Sequence, residues 1–226
     1  MPNPITLRNL GGRSAAPAAL TASTLVLIDC QNTYREGVMA LSGVEAALDE
    51  AAAVLARARR LGVPVIHIQH DAGPGSPYDV SAPIGAIADK VAPAAGEPVV
   101  LKHFPNSFIG TDLEARLKAT GRQNVVFVGF MTHMCVNSTT RGAFNLGFAP
   151  TVVASATATR DLPDPHGNVV PAATLQAASL AALGDLFAVV IPDAAALPDA
   201  CVIVPALDAA TSWFARRGIH QLAAAV

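Results

Sequence analysis

Short apolar runs alternate along the chain with longer segments in which apolar residues recur every three or four positions. The apolar runs predict six strands, at 24–30, 63–70, 97–103, 124–130, 150–157 and 186–191. The periodic segments between them predict helices, at 43–62, 111–121, 135–147 and 171–184. Strands that are apolar on both faces and alternate with helices are typical of a parallel sheet covered on both sides. The sequence therefore predicts a single-domain α/β three-layer sandwich with a six-stranded, mainly parallel sheet.

The two ends of the chain depart from this pattern. Residues 1–21 are rich in Ala, Pro and Gly and are predicted to form a surface arm, so the α/β domain is expected to span 22–191. Residues 192–226 form an extension with one predicted helix. Trp213 and Phe214 on that helix would suit a contact between subunits.

Composition and charge exclude several classes of protein. Hydrophobic residues make up 52% of the chain, yet no run approaches the roughly 18 uninterrupted apolar residues of a membrane-spanning helix. The net charge of −2 gives no electrostatic footprint for nucleic acid. Three cysteines at unrelated spacings form neither a disulfide framework nor a zinc pattern. The N-terminal residues lack the features of a signal peptide, so we expect a cytoplasmic protein without nucleic-acid or membrane partners.

Three chemically active residues lie at or just beyond the carboxyl ends of predicted strands. Asp29 ends the first strand, Lys102 ends the third, and Cys135 follows the fourth. Ligands of open α/β sheets bind in the crevice beyond these strand ends, where the three side chains can converge. A helix N-terminus and a nearby cation favour a nucleophilic thiolate. A carboxylate can accept the thiol proton and deliver it to a leaving amine, and turn N–H groups can hold an oxyanion.

Each of these residues also has an ordinary structural explanation when it is considered alone. Free cysteines usually pack as small hydrophobic residues, which is the interpretation we favour for Cys30 and Cys201. Two other functions therefore stay open. One is a thiol redox sensor, with Cys30 as the only candidate to pair with Cys135. The other is a non-catalytic domain that binds a small ligand, although no G-x-G-x-x-G phosphate motif follows the first strand.

Three motifs in order resemble those of the isochorismatase-like cysteine hydrolases, which include nicotinamidases and N-carbamoylsarcosine amidase. They read "LIDCQN", "LKHFPNSFIGTDLEARL" and "VGFMTHMCVNSTTRGAFNLGF", and the resemblance extends over about 22–191. It implies an isochorismatase-like fold in which Cys135 is the nucleophile, Asp29 the general base and acid, and Lys102 the residue that holds both. It also implies a cis peptide at Phe130–Met131 and an oxyanion hole formed by the backbone N–H groups of Met131 and Cys135.

The resemblance further implies an amidase-type hydrolase. Such an enzyme would cleave a C–N bond in a small amide, ureide or lactam through an acyl-thioester, and family members are usually dimers or tetramers. We therefore expect a homo-oligomer that acts on a small molecule. True isochorismatases cleave a vinyl ether without a catalytic cysteine, so the presence of Cys135 argues against that reaction.

The metal site of nicotinamidases is not recognisable in the corresponding segment, "VIHIQHDAGPGSPYD". His67 and His70 are three residues apart on one strand and therefore point to opposite faces. His67 is predicted to be a buried, hydrogen-bonded histidine. We expect no metal and no cofactor, and this expectation disfavours nicotinamide as a substrate.

The loops around the crevice supply candidates for the substrate pocket, and the Gly- and Pro-rich loop 71–97 is expected to cover the site. The predicted pocket residues are Tyr34, His70, Asp71, Tyr78, Phe104 and His133.

Overall fold

Six parallel strands form the central sheet in a computed structural model, which describes residues 4–200. The strands are β1 (Ser23–Ile28), β2 (Val65–His70), β3 (Val99–Lys102), β4 (Asn124–Phe130), β5 (Ala149–Ala158) and β8 (Val189–Ile191). Their order across the sheet is β3-β2-β1-β4-β5-β8, and each neighbouring pair is parallel. The predicted fold class is confirmed. Cys201, Trp213 and Phe214 lie outside the described residues.

In the part of the chain that the structure describes, five α-helices accompany the sheet: α1 (Leu7–Leu10), α2 (Val44–Arg60), α3 (Leu113–Ala119), α4 (Asn137–Asn145) and α5 (Ala172–Leu186). Helix α1 was not predicted. It fixes part of the N-terminal arm to α5, because the Leu7 N–H donates to Asp185 Oδ1 at 2.9 Å. A short antiparallel hairpin, β6 (Leu162–Pro163) and β7 (Val169–Val170), was also not predicted. Two-residue strands are too short to show a period in the sequence.

The sheet separates two hydrophobic cores. Alternate residues of β1 point to opposite faces, so Leu25 and Leu27 pack in the core that α2 covers. Val26 and Ile28 pack in the other core, with apolar residues of α3, α4 and α5. Both faces of each central strand are therefore buried, which explains the nearly continuous apolar runs in the sequence.

The strand order also creates a crevice between β1 and β4. The connection after β1 leads towards β2 and β3, whereas the connection after β4 leads towards β5 and β8. Adjacent strands whose connections diverge in this way leave an opening beyond their carboxyl ends. Asp29 follows β1 at this opening, and the turn that carries Cys135 follows β4.

No helix among residues 4–200 is long and apolar enough to cross a membrane.

Strands β1 and β4 approach each other closely at Gly129, which pairs with Ile28. Gly129 has φ of 115°, a conformation that other L-residues rarely adopt. A Cβ atom at this position would overlap the backbone carbonyl of Ile28. The pairing of β4 with β5 also shifts register between Phe127 and Gly129. Glycine is thus required where the two strands that border the crevice meet.

We expect Gly129→Ala to lower the free energy of unfolding by about 2–4 kcal/mol, because it combines a strained φ with overlap of backbone atoms. Urea denaturation measures this change. Gly184→Ala in α5 is the matched control, since its new Cβ would meet only ordinary contacts, the nearest at 3.6 Å. That variant is expected to change stability by no more than about 1 kcal/mol. Equal destabilisation by the two variants would contradict the close approach at Gly129.

Candidate active site

A buried ion pair joins the ends of β1 and β3. Lys102 Nζ lies 2.7 Å from Asp29 Oδ2, and neither side chain is exposed to solvent. Asp29 is the only non-glycine residue with positive φ (49°) in the part of the chain the structure describes. Aspartate is among the residues that tolerate this region best. The backbone thus leaves β1 sharply at Asp29, at the opening of the crevice.

Cys135 lies close to both members of this pair. Lys102 Nζ donates a hydrogen bond to Cys135 Sγ at 3.4 Å. Within residues 4–200, the ion pair with Lys102 is the only close polar contact of the Asp29 carboxylate, whose oxygens accept no other hydrogen bond. The structure therefore brings together the three residues that the strand ends predicted as catalytic.

The local structure at Cys135 differs from the prediction. A single π-helical turn, Thr132–Val136, precedes α4, so Cys135 is not the first residue of an α-helix. The Val136 N–H donates to the carbonyl oxygen of Met131 at 3.2 Å, five residues back, which defines this wider turn. The sequence does not indicate the extra residue, because one π turn hardly changes the spacing of apolar positions.

The peptide bond between Phe130 and Met131 is cis, as the resemblance implied. The N–H of Met131 donates to no acceptor within the described residues, and Met131 is the residue before the π turn that holds the thiol. This amide is therefore available to a ligand. The assignment of Met131 and Cys135 to an oxyanion hole stays a prediction.

Burial controls the protonation of the thiol. Loss of solvation, and next the charge of the Asp29 carboxylate, raises the pKa of Cys135 to about 12, although Lys102 lowers it in part. The resting site therefore holds a neutral thiol. Lys102 acts in the expected direction, but burial and the carboxylate outweigh it.

His70 is a direct partner of Lys102, with Nδ1 at 3.0 Å from Nζ. An ammonium group can only donate, so Nδ1 accepts the hydrogen bond and the ring proton is assigned to Nε2. Burial, and next the charge of Lys102, lowers the pKa of His70 below its ordinary value. A neutral His70 thus provides a third acceptor for Lys102, beside Asp29 and Cys135.

Two tyrosines pack in a row of edge-to-face contacts that begins at His70. The ring centroid of Tyr78 lies 4.8 Å from His70 and 5.8 Å from Tyr34, both edge to face. Tyr34 in turn packs edge to face on Phe130, at 5.7 Å, directly before the cis peptide. Burial raises the pKa of Tyr34 well above its ordinary value, and the negative charge of Asp29 adds to the effect. Tyr34 and Tyr78 therefore lie next to His70 and the cis peptide, and contact of either with substrate stays a prediction.

The other three predicted pocket residues are placed differently. Asp71 forms a turn, since its carboxylate accepts the Gly73 N–H at 2.9 Å. Phe104 is 55% exposed on the loop after β3. His133 lies in the π turn, and its Nδ1 is 2.5 Å from the Thr159 hydroxyl at the end of β5. Contact of any of the three with substrate stays a prediction.

Gln31 has a structural role that was not assigned from the sequence. It is fully buried, and its side-chain amide bonds both the N–H and the C=O of His70, each at 2.9 Å. The same amide donates to the carbonyl of Gly85 at 2.7 Å. Gln31 thus fastens the loop above the crevice to the end of β2. This role could have been suspected from the sequence because Gln31 follows Asp29 by two residues in the motif "LIDCQN".

Two further predictions concern side chains away from the triad. His67 is buried and hydrogen-bonded, with Nε2 at 2.9 Å from Glu97 Oε2, as expected. Cys30 is buried in the core that contains α2, whereas Cys135 belongs to the core on the other face. Burial raises the pKa of Cys30 as well. This separation does not favour a redox pair of the two thiols.

The sequence matches the family profile described as Isochorismatase domain over residues 23–195. The secreted isochorismatase effector Isc1 of Verticillium dahliae is 33% identical, over 82% of this chain and 96% of the relative. Streptothricin hydrolase of Streptomyces noursei is 35% identical, over 77% of this chain and 63% of the relative. Ureidoacrylate amidohydrolase RutB of Stutzerimonas stutzeri is 31% identical, over 62% of this chain and 72% of the relative.

Solved structures show the same likeness. The crystal structure of an isochorismatase from Pseudomonas putida KT2440 superposes with a TM-score of 0.81 at 38% identity, covering 84% of this chain and 97% of that one. N-carbamoylsarcosine amidase from Thermoplasma acidophilum superposes with a TM-score of 0.62 at 25% identity, covering 75% and 95%.

The charges around the thiol predict opposite effects of two substitutions. Asp29→Asn removes a charge that raises the pKa of Cys135, so the thiolate fraction at pH 9 increases. Lys102→Met removes a charge that lowers this pKa, so the fraction decreases. The rate at which iodoacetamide alkylates Cys135 at pH 9 is expected to change about tenfold for each unit of change in the pKa. Mass spectrometry of the Cys135 peptide measures this rate. Buried Cys30 serves as the internal control, and rate changes in the same direction for both variants would contradict this account.

Neutral His70 predicts a pH-dependent stability difference. Folding lowers the pKa of His70, so around that pKa the unfolded chain binds more protons than the folded one. The contribution of neutral His70 to the free energy of unfolding is therefore present above about pH 6.5 and is lost as the pH falls. His70→Asn keeps an acceptor oxygen near the Nδ1 position but cannot titrate. The free energy of unfolding of the wild type is therefore expected to fall relative to this variant between pH 8 and pH 5. Urea denaturation at each pH measures it, and parallel curves would exclude the neutral, Lys102-bound His70.

Proposed function

Because this chain belongs to the isochorismatase family, we propose that it is a hydrolase that cleaves a C–N bond in a small amide, ureide or lactam through a thioester on Cys135. One observation carries the proposal. A single ammonium group, Lys102 Nζ, contacts both the Asp29 carboxylate at 2.7 Å and the Cys135 thiol at 3.4 Å in a buried crevice. A base, a nucleophile and a cation that fixes both are the parts that thiol-based acyl transfer requires.

In the first step, Cys135 Sγ attacks the carbonyl carbon and its proton moves to Asp29. Since burial keeps the resting thiol neutral, we infer that proton transfer accompanies attack rather than preceding it. The carbonyl oxygen becomes an oxyanion, which the N–H groups of Met131 and Cys135 would stabilise. Within residues 4–200 the N–H of Met131 has no acceptor, which supports this role.

In the second step, the C–N bond breaks and Asp29 gives its proton to the leaving nitrogen. A thioester between Cys135 and the acyl group remains. Asp29, again a carboxylate, then takes a proton from a water molecule that attacks the thioester carbon. The acid leaves, and the proton returns to the thiol. Lys102 stays charged throughout and stabilises Asp29 whenever the carboxylate is ionised.

The names of the relatives agree with C–N bond hydrolysis. RutB is a ureidoacrylate amidohydrolase, and N-carbamoylsarcosine amidase is named for another ureide. Isc1 and the Pseudomonas protein are named as isochorismatases, which makes hydrolysis of isochorismate the competing activity. The buried Cys135, with Asp29 and Lys102 as neighbours, favours C–N cleavage over a reaction that needs no thiol.

The test is release of ammonia from a panel of amides and ureides, with isochorismate assayed in parallel. Cys135→Ala is expected to lower ammonia release at least about 1,000-fold, because no other group can form the thioester. Cys30→Ala is the matched control and should retain activity, since Cys30 lies in the opposite core. Circular dichroism verifies the fold of each variant. Activity within tenfold of the wild type in Cys135→Ala, or turnover of isochorismate alone, would overturn the proposal.

A further inference from the structure

Two buried hydroxyl groups join the loop after β3 to helix α4. Thr139 Oγ1 accepts the Ser107 N–H at 3.0 Å and lies 2.9 Å from Ser107 Oγ. Neither side chain is exposed to solvent. Burying a hydroxyl costs free energy unless it is hydrogen-bonded, and hydrogen bonds are directional. This pair therefore holds the loop and the helix in one defined geometry.

Each hydroxyl follows a member of the catalytic triad closely in the chain. Ser107 is five residues after Lys102, and Thr139 is four residues, about one helical turn, after Cys135. Side chains about one turn apart lie on the same side of a helix. In agreement, Cys135 Sγ contacts Lys102, and Thr139 Oγ1 contacts Ser107. Two successive helical turns thus face the stretch of chain that begins at the end of β3.

The loop that carries Ser107 is itself held in one conformation. Thr111 Oγ1 donates to the Ser107 carbonyl oxygen at 2.6 Å, and Asn106 Oδ1 accepts the Phe108 N–H at 3.0 Å. Helix α4 approaches this loop closely at Gly142, where a Cβ atom would lie 2.8 Å from Asn106 Nδ2. The loop and α4 are therefore fixed to one another by packing as well as by hydrogen bonds.

This attachment matters because the sheet alone connects Lys102 only indirectly to the thiol. Strands β2 and β1 lie between β3 and β4, and in the part of the sheet that the structure describes β3 pairs with β2 alone. The contact between Lys102 Nζ and Cys135 Sγ is 3.4 Å long, so a displacement of about 1 Å at the end of β3 would lose it. The bond between Ser107 and Thr139 opposes such a displacement, because it connects the segment after the cation directly to the helix after the thiol.

We propose that Ser107 and Thr139 are positioning residues, which hold the ammonium group of Lys102 against Cys135 Sγ and so set how readily the thiol acts as a nucleophile. Both side chains are buried, so they act through Lys102 and Cys135 rather than on the substrate. A looser contact leaves the developing thiolate less stabilised by the cation, and Cys135 then reacts more slowly. This inference rests on the proposed function, because it concerns the reactivity of the same thiol.

Thr139→Val tests the bond, since it removes the hydroxyl and keeps the branched shape. We expect iodoacetamide to alkylate Cys135 about three- to tenfold more slowly at pH 9 in this variant, as for the weakening of one hydrogen bond. Thr139→Ser restores a hydroxyl and should return the rate to within about twofold of the wild type. Thr24→Val is the matched control. It removes a buried bond of the same kind, 3.0 Å between the hydroxyls of Thr24 and Thr120, at the opposite end of β1, and should leave the rate unchanged.

A double-mutant cycle separates positioning from a general loosening of the fold. Because the bond acts through the cation, Thr139→Val should slow the alkylation of Cys135 by no more than about twofold once Lys102→Met has removed the ammonium group. The same comparison is made in Asp29→Asn combined with Lys102→Met, where neither charge is buried without its partner. Circular dichroism verifies the fold of each variant, so at least one of the two backgrounds is required to be native.

Three results would overturn the inference: an unchanged rate in Thr139→Val, an equal slowing in Thr24→Val, or a slowing by Thr139→Val that is as large without Lys102 as with it. Failure of Thr139→Ser to recover the rate would also count against it. None of these measurements requires turnover. Retention of ammonia release in Cys135→Ala would instead overturn the proposed function, and it would leave the alkylation rates and their interpretation as positioning intact.

Discussion

The buried ion pair between Asp29 and Lys102 is the interaction on which the rest of the site depends. Removing each charge from water costs several kcal/mol, so each side chain offsets much of the cost of burying the other. The pair also constrains the sheet. Neighbouring strands are about 4.8 Å apart, so Lys102 on β3 must extend across β2, roughly 10 Å, to reach the end of β1. The order β3-β2-β1 and a long, flexible cationic side chain are therefore required together. The same path explains the contact with His70, which ends β2 and lies beneath the crossing side chain.

Sequence patterns predicted the parallel sheet and the proximity of Asp29, Lys102 and Cys135, because buried strands produce long apolar runs and the geometry of open sheets brings their carboxyl ends together. Two features were not accessible in the same way. The π turn at Cys135 adds one residue to a helical turn without changing the apolar pattern. The contact of His70 with Lys102 depends on the route of one side chain across a strand.

A neutral resting thiol separates this site from that of a thiol sensor. Oxidation of cysteine requires thiolate character and exposure, and Cys135 lacks both in the resting crevice. The same burial strengthens the interaction of Asp29 and Lys102 with any group that develops charge during a reaction, because little water competes. The thiol is thus unreactive until a ligand places a carbonyl carbon where the electron pair of the sulfur can attack it. Such an arrangement suits a hydrolase and is poorly suited to sensing oxidants.

Lys102 belongs to β3, the outermost strand of the described sheet, which pairs with β2 alone over four residues. Asp29 and Cys135 instead follow β1 and β4, the two central strands. Short edge strands generally open at lower free energy than the centre of a sheet. The cation is therefore supplied by the part of the sheet that separates most easily, while the thiol and its base stay on the part that separates last. On heating, the enzyme would lose its chemistry by local fraying of one strand while most of the chain is still folded, and cooling would restore it.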